Sequence, residues 1–245
     1  MEADCFGATQ GMYILHYAPD NASLIVRLAL AELGQPCTCV PVDRAAREQD
    51  GMAYRALNPL GLIPVLETPQ GPLFETGAIL LWLSEEHGAL APPPGDPQRG
   101  HFLKWLFYLS NTVHADLRIL FHPDIYVPRP IVAPLGRMLA NRIGGHFDLL
   151  NRLAADAAPG TFGARRAQDA PNLIDLYALV LMRWAALYPD DGPRWFDIRR
   201  YPALLDIARR VERRETVRMV AEAEGLGPTL FSAPGYPIQT GAPAR

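Results

Sequence analysis

Apolar and polar positions follow two different periods along this chain, and the change falls near residue 98. Met12-Tyr-Ile-Leu-His-Tyr17 is β-rich and stops at the turn cluster Ala18-Pro19-Asp20-Asn21. Over 22–33, Leu24, Leu28, Ala31 and Leu33 recur on one helical face, and Gly34 stands where a glycine ends a helix. Residues 37–42 read as a second strand, so the opening is a β-α-β unit, which favours parallel strands and a right-handed crossover. A charged, weakly periodic link over 43–57 leads to the turn Asn58-Pro59-Leu60-Gly61. Ile63-Pro-Val-Leu-Glu67 and Pro72-Leu-Phe-Glu75 then flank Thr68-Pro-Gln-Gly71 as a hairpin. Thr76 is placed to cap a helix over 77–87 that Gly88 closes. The expected order is βαβ-α-ββα.

Four prolines in the seven residues 91–97 continue neither helix nor strand and read as an extended spacer. Beyond them the period is helical: 100–121, 131–155, 173–188 and 202–223 are the expected helices, and the tail from Gly225 is irregular. The reading is an α/β domain over 12–88, a linker over 89–98 and an all-α domain over 99–231, with flexible ends at 1–11 and 232–245.

Composition narrows the function classes. The 245 residues carry 23 basic and 26 acidic side chains, a net charge of −3, and are 49% hydrophobic. That excludes a disordered chain and a collagen-like fibre, and a slightly acidic balance argues against a nucleic-acid binder. Lys104 is the single lysine, so Schiff-base chemistry has almost no raw material. Cys5, Cys37 and Cys39 have neither redox nor zinc spacing, and the latter two are expected to pack in a strand. No basic segment followed by an apolar run opens the chain, and the apolar stretches at 78–83 and 176–188 fall short of the ~20 residues a bilayer requires. The expectation is a cytoplasmic protein with no membrane partner. His114 and His122 have no third ligand nearby, which argues against a metal site. The mixed-sign run over 209–215 reads as a solvated face.

Asn58-Pro-Leu-Gly-Leu-Ile-Pro-Val-Leu66 followed by Phe74-Glu-Thr-Gly-Ala-Ile79 resembles the cytosolic glutathione S-transferases. The resemblance runs from about 12 to 231, and Ala170-Pro-Asn-Leu-Ile-Asp-Leu-Tyr-Ala178 is similar to the family's buried helix start, with Asn172 replacing a Ser or Thr. Trp105, Leu106 and His114 look like the corresponding helix of bacterial beta-class members. It implies a thioredoxin-like N-terminal domain that binds glutathione as co-substrate and a helical domain that shapes a mostly apolar pocket for a small electrophile. It also implies a homodimer.

The same resemblance assigns residues. Ile63 and Pro64 form a cis bond whose backbone pairs with glutathione's cysteinyl backbone, a miniature strand augmentation. Glu75 pairs with the γ-glutamyl ammonium, and Thr76 with the helix N–H groups receives its carboxylate. The bland alternative is that Thr76 is an N-cap and Glu75 a solvated charge. Leu62 stands where many members carry Lys or Gln, so Arg44 or Arg47 is left to meet the glycyl end. Ala22 occupies the beta-class cysteine position, so the loop 19–23 must activate the thiol by other means. Lowering a thiol pKa from ~8.5 by about two units needs ~2.7 kcal/mol. A helix N-terminus supplies ~0.3–2 kcal/mol, and one hydrogen bond much of the rest. Ser23 is the first candidate for that bond and Asn21 the second; Ser23 also fits a plain helix cap. Tyr108, His114, Arg118 and Phe121 are candidates for the second-substrate pocket. A glutathione-dependent disulfide reductase and a non-catalytic glutathione-fold module remain the rival functions.

Overall fold

The computed structural model describes residues 3–4, 12–156, 160–164, 169–189 and 194–238. Cys5 lies outside them, as do most of the terminal stretches read as flexible ends. Strands β1 (Ala3–Asp4), β2 (Tyr13–Tyr17), β3 (Cys37–Pro41), β4 (Val65–Thr68) and β5 (Gly71–Phe74) form one sheet in the order β1-β3-β2-β4-β5. Strands β2 and β3 run parallel, joined by helix α1 (Ser23–Glu32), while β4 is antiparallel to both β2 and β5. A short α2 (Met52–Leu57) fills the link, and α3 (Thr76–His87) follows the hairpin. The expected βαβ-α-ββα order is present, with the two-residue β1 added at the edge.

Strand alternation sets which side chains are inside. Tyr13 and Leu15 of β2 and Cys37 and Cys39 of β3 are buried. Cys37 is a free thiol that burial pushes up to about 12, whereas Cys39 is disulfide-bonded, a departure from two plain packed thiols.

Helix α1 is buried on every side from Ser23 to Ala31. One apolar face was expected. Apolar residues continue around the helix, and neighbours cover it: β2 and α3 pack against it, and so does α9 (Glu215–Ala223). The expected helix over 202–223 is therefore two, α8 (Pro202–Val211) and α9, separated at 212–214. The run over 209–215 is solvated only in part: Arg209, Arg213 and Glu215 are exposed, and the others have partners or are buried. Arg210 donates to the Ala164 carbonyl, and Arg214 grips Glu32 of α1 through two nitrogens, the shorter contact 2.7 Å.

The chain divides between Ala91 and Pro92, inside the proline-rich stretch. One unit is Met1–Ala91 with Arg214–Pro228 and Tyr236–Arg245; the other is Pro92–Arg213 with Thr229–Gly235. The single helical domain expected over 99–231 is corrected on this point: its last helix completes the N-terminal unit.

In the second unit, α4 (Arg99–Tyr108), a π-helical turn (Leu109–His114) and α5 (Ala115–Phe121) are continuous. They pack with α6 (Arg129–Asp156) and α7 (Leu173–Leu187), and α8 packs on both of these. Helix α7 is buried almost throughout and opens on a complete capping box. Asn172 accepts the N–H groups of Ile174 and Asp175, and Asp175 in turn accepts that of Asn172 at 2.8 Å. Asp175 also collects Gly163 and Ala164; burial still raises its carboxyl to about 6. Among the described residues, no helix is long and apolar enough to cross a membrane.

Candidate functional site

Sheet register decides which loops meet. His16 pairs with Val65 and Val65 with Phe74, so Ala18 after β2, Ile63-Pro64 before β4 and Glu75-Thr76 after β5 lie at one end of the sheet. Tyr17 pairs with Pro41 in the parallel β3, which brings Val42 to Arg44 to the same end. Four segments distant in sequence converge there.

Each has a local reason for its shape. The Asn58 turn is closed by its own side chain, which accepts the Leu60 N–H at 3.0 Å and donates to the Leu62 carbonyl at 2.8 Å. Tyr54 donates to that carbonyl too, at 3.0 Å. Gly61 has φ +64, and a Cβ there would sit 2.8 Å from the Gln49 carbonyl oxygen, so glycine is required. Two residues on, Ile63 makes no backbone hydrogen bond among the described residues, and its bond to Pro64 is cis. A free N–H and C=O at a strand entrance suit an extended ligand.

Thr76 is the first residue of α3 rather than its cap; the cap position is Glu75, whose side chain caps nothing. Glu75 is exposed and holds φ 70, ψ 109, a conformation that costs a non-glycine residue about 1–3 kcal/mol. Thr76 is buried, and its hydroxyl has no hydrogen bond among the described residues. A carboxylate, a hydroxyl and open helix N–H groups can hold a zwitterionic amino acid end.

Arg44 is exposed with no ion pair among the described residues, while Arg47 is bound to Asp50 at 2.7 Å. Of the two arginines, Arg44 is the one at hand for a carboxylate.

The loop 18–23 departs from expectation at Ser23. Its Oγ donates to the Ala18 carbonyl at 3.1 Å and accepts the Ala18 N–H at 3.3 Å, and the residue is fully buried. The hydroxyl closes the loop on itself, so its proton is already committed. It does not cap the helix either, because the cap position is Ala22. Asn21 is half-buried: its Oδ1 accepts the Ala22 N–H at 2.7 Å, and its amide nitrogen has no bond among the described residues. The Leu24 and Ile25 N–H groups turn back to the Asn21 and Ala22 carbonyls.

A group that sequence reasoning missed supports this loop. The Asp20 N–H donates to Glu224 Oε2 at 3.0 Å, and Arg27 Nη1 donates to Glu224 Oε1 at 3.3 Å. The Arg27 guanidinium also lies 5.2 Å from the centre of the Tyr17 ring. Burial pushes the Glu224 carboxyl up to about 7, opposed by Arg27 and the Asp20 N–H. The available signal was Arg27 itself, a charge amid an apolar run.

In the helical unit, the pocket candidates turn to separate neighbours. Tyr108 bonds His146 Nδ1 at 2.6 Å, and His146 Nε2 donates to Asp116 at 2.9 Å. Arg142 pairs with the same Asp116 oxygen at 2.7 Å. Because a carboxylate only accepts, a neutral His146 carries its proton on Nε2 and takes the Tyr108 O–H at Nδ1. Burial first, then the Asp116 charge, raises the Tyr108 phenol. His114 shares a hydrogen bond with Tyr177 at 2.9 Å and packs on Trp184; burial, with Arg118 nearby, lowers it to about 4. Arg118 donates to the Tyr126 hydroxyl, and Phe121 packs on Tyr188. Tyr108, His114 and Arg118 thus each bond a different neighbour. Among the described residues, no three His, Cys, Asp or Glu side chains are grouped to hold a metal.

Residues 15–94 match the family described as glutathione S-transferase, N-terminal domain. A maleylacetoacetate isomerase of Rhizobium meliloti (strain 1021) is 36% identical over 209 residues, covering 79% of this chain and 88% of that protein. The chain belongs to the glutathione S-transferase family. Glutathione S-transferase GstA of Escherichia coli O157:H7 is 33% identical over 114 residues, 45% of this chain. The chain spans 57% of GstA, and 23% and 29% of elongation factor 1-gamma proteins from Arabidopsis thaliana and Prunus avium. A solved sphingomonad glutathione S-transferase complexed with glutathione superposes with a TM-score of 0.70 at 28% identity, covering 87% of this chain and all of that one. The thioredoxin-like sheet and the helical region are the family's fold.

Proposed function

We propose that the chain is a glutathione transferase that binds glutathione at the convergent end of its sheet. The observation that carries this reading is the register-enforced meeting of the free Ile63 backbone, the Glu75-Thr76 helix start, Arg44 and the loop 18–23. The solved sphingomonad relative complexed with glutathione supports the same ligand. Ile63 meets the cysteinyl backbone, Glu75 the ammonium, Thr76 and the first N–H groups of α3 the γ-glutamyl carboxylate, and Arg44 the glycyl carboxylate.

The sulfur then lies toward the loop. With Ser23 committed to Ala18, activation falls to the Asn21 amide, which can donate to a thiolate. The thiol loses its proton to solvent; the sulfur lone pair forms a bond to an electrophilic carbon, and the leaving group departs with its electron pair. The electrophile is a small, mostly apolar molecule, and a homodimer is part of the same proposal.

A second reading rests on the maleylacetoacetate isomerase similarity. There the thiolate adds to an electron-poor double bond, the resulting single bond rotates, and the same thiolate leaves, so no glutathione is consumed.

Calorimetric titration with glutathione tests the site. Glu75→Ala combined with Thr76→Ala is expected to weaken binding at least about tenfold, the loss of one to two charge-assisted hydrogen bonds. Unchanged affinity sinks the assignment. Rates with a chloro-dinitro-aromatic, hydroxyethyl disulfide and a cis-unsaturated dicarboxylate then separate transferase, reductase and isomerase; activity on none, with binding intact, favours a non-catalytic module.

A further inference from the structure

The C-terminal helix of the first unit ends on a buried carboxylate that touches the loop 18–23. Glu224 stands at the C-terminal cap of α9, where the helix carbonyls make a negative charge unfavourable. It is also withdrawn from solvent: the side chains of the Arg27–Glu224 pair are 3% and 0% exposed. A buried ion pair stabilises little more than well-packed apolar residues of the same volume. Breaking two local rules at one residue marks a position held for another reason.

Docking is not that reason. Helix α9 is already tied to α1 at its start, where Arg214 grips Glu32 and the Thr216 hydroxyl donates to the same carboxylate. Val217, Val220 and Ala221 bury its apolar face. Glu224 does something Arg214 does not, because one of its oxygens takes the Asp20 N–H. Asp20 has φ 53, a left-handed conformation that few non-glycine residues hold without support, and it leads directly into Asn21. The groups facing the carboxylate are Arg27 from α1 and Asp20 from the loop, with the Tyr17 ring of β2 against Arg27.

We propose that Glu224 is a positioning residue for thiol activation: by holding the Asp20 backbone against Arg27, it sets the turn that presents Asn21 to the glutathione sulfur. The inference rests on the glutathione reading above and adds a residue from the far end of the chain. Glu224 touches no substrate and acts through Asp20.

The test follows the ultraviolet absorbance of bound glutathione thiolate against pH, with affinity measured alongside. Wild type is measured first; if it takes up no glutathione, the glutathione reading itself fails and this inference falls with it. Given binding, Glu224→Gln is expected to lower the thiolate fraction at neutral pH by about three- to tenfold, the worth of one misplaced hydrogen bond. Because that variant leaves Arg27 buried without its partner, Arg27→Met with Glu224→Met provides a well-packed alternative, and it is expected to show the same loss at a melting temperature near wild type. Arg214→Gln removes the other α1–α9 tie; it is expected to lower the melting temperature and leave the thiolate titration in place. A folded double variant with wild-type titration overturns the proposal. So does an Arg214→Gln shift as large as that of Glu224→Gln.

Discussion

A serine at the mouth of a helix invites a catalytic reading, and at Ser23 the geometry of one residue decides against it. Its hydroxyl is spent in both directions on Ala18. Ser23→Ala is therefore expected to cost about 1–3 kcal/mol of stability, read by denaturant unfolding, with the turnover of the folded fraction within about threefold of wild type. Asn21→Ala is expected to do the reverse, with little change in stability and less bound thiolate. His114 supports a separate prediction. Its folded pKa of about 4 lies below the unfolded value near 6.5, so its contribution is complete above about 6.5. It is lost as pH falls toward 4, by about 2–3 kcal/mol. Unfolding curves for His114→Phe across that window are expected to lack that part of the acid-side loss. Residue types and spacing made the places of Ile63, Glu75 and Thr76 in the fold legible, because a turn, a strand entrance and a helix start each leave a mark in sequence. The direction in which a hydroxyl or imidazole turns leaves none, which is why the hydrogen-bond partners of Ser23, Tyr108, His114 and Arg118 could not be read.

Among the elements, alternation and turn chemistry were enough to read the sheet, since a one-residue slip exposes every buried side chain of a strand. Helix α7 was legible from its start, because Asn172 and Asp175 fill a capping box even with an amide in place of the usual hydroxyl. Asn172→Ala is expected to cost about 1 kcal/mol and Asn172→Ser far less. Asp175→Ala is expected to cost at least about 3 kcal/mol, since it strands the N–H groups of Gly163, Ala164 and Asn172 in the interior. Thermal melts rank the three; equal losses for Asn172→Ala and Asp175→Ala contradict the geometry. The amphipathic pattern over 202–223 was less informative. Periodicity reports that a helix has an apolar face but not what covers it, and the break at 212–214 sends α8 and α9 to different units.

Across the whole molecule, the boundary near residue 91 was readable from proline density, and the return of 214–228 to the first unit was not. That return has a measurable outcome. Residues 1–91 produced alone are expected to expose the α1 face that α9 covers, to bind a hydrophobic dye and to melt without cooperativity. Adding 214–228 through a short linker is expected to restore a cooperative transition. A stable, dye-silent 1–91 fragment contradicts the division.

Arg27 and Glu224 stand 197 residues apart. Protein synthesis runs from one end, so the first unit begun is the last one finished: its sheet and first helix wait while the whole helical body is translated. The loop beside Asp20 acquires its anchor only after residues 92–213 have been made. Cutting the chain before Glu224 would therefore strike at Asp20, 204 residues earlier in the sequence.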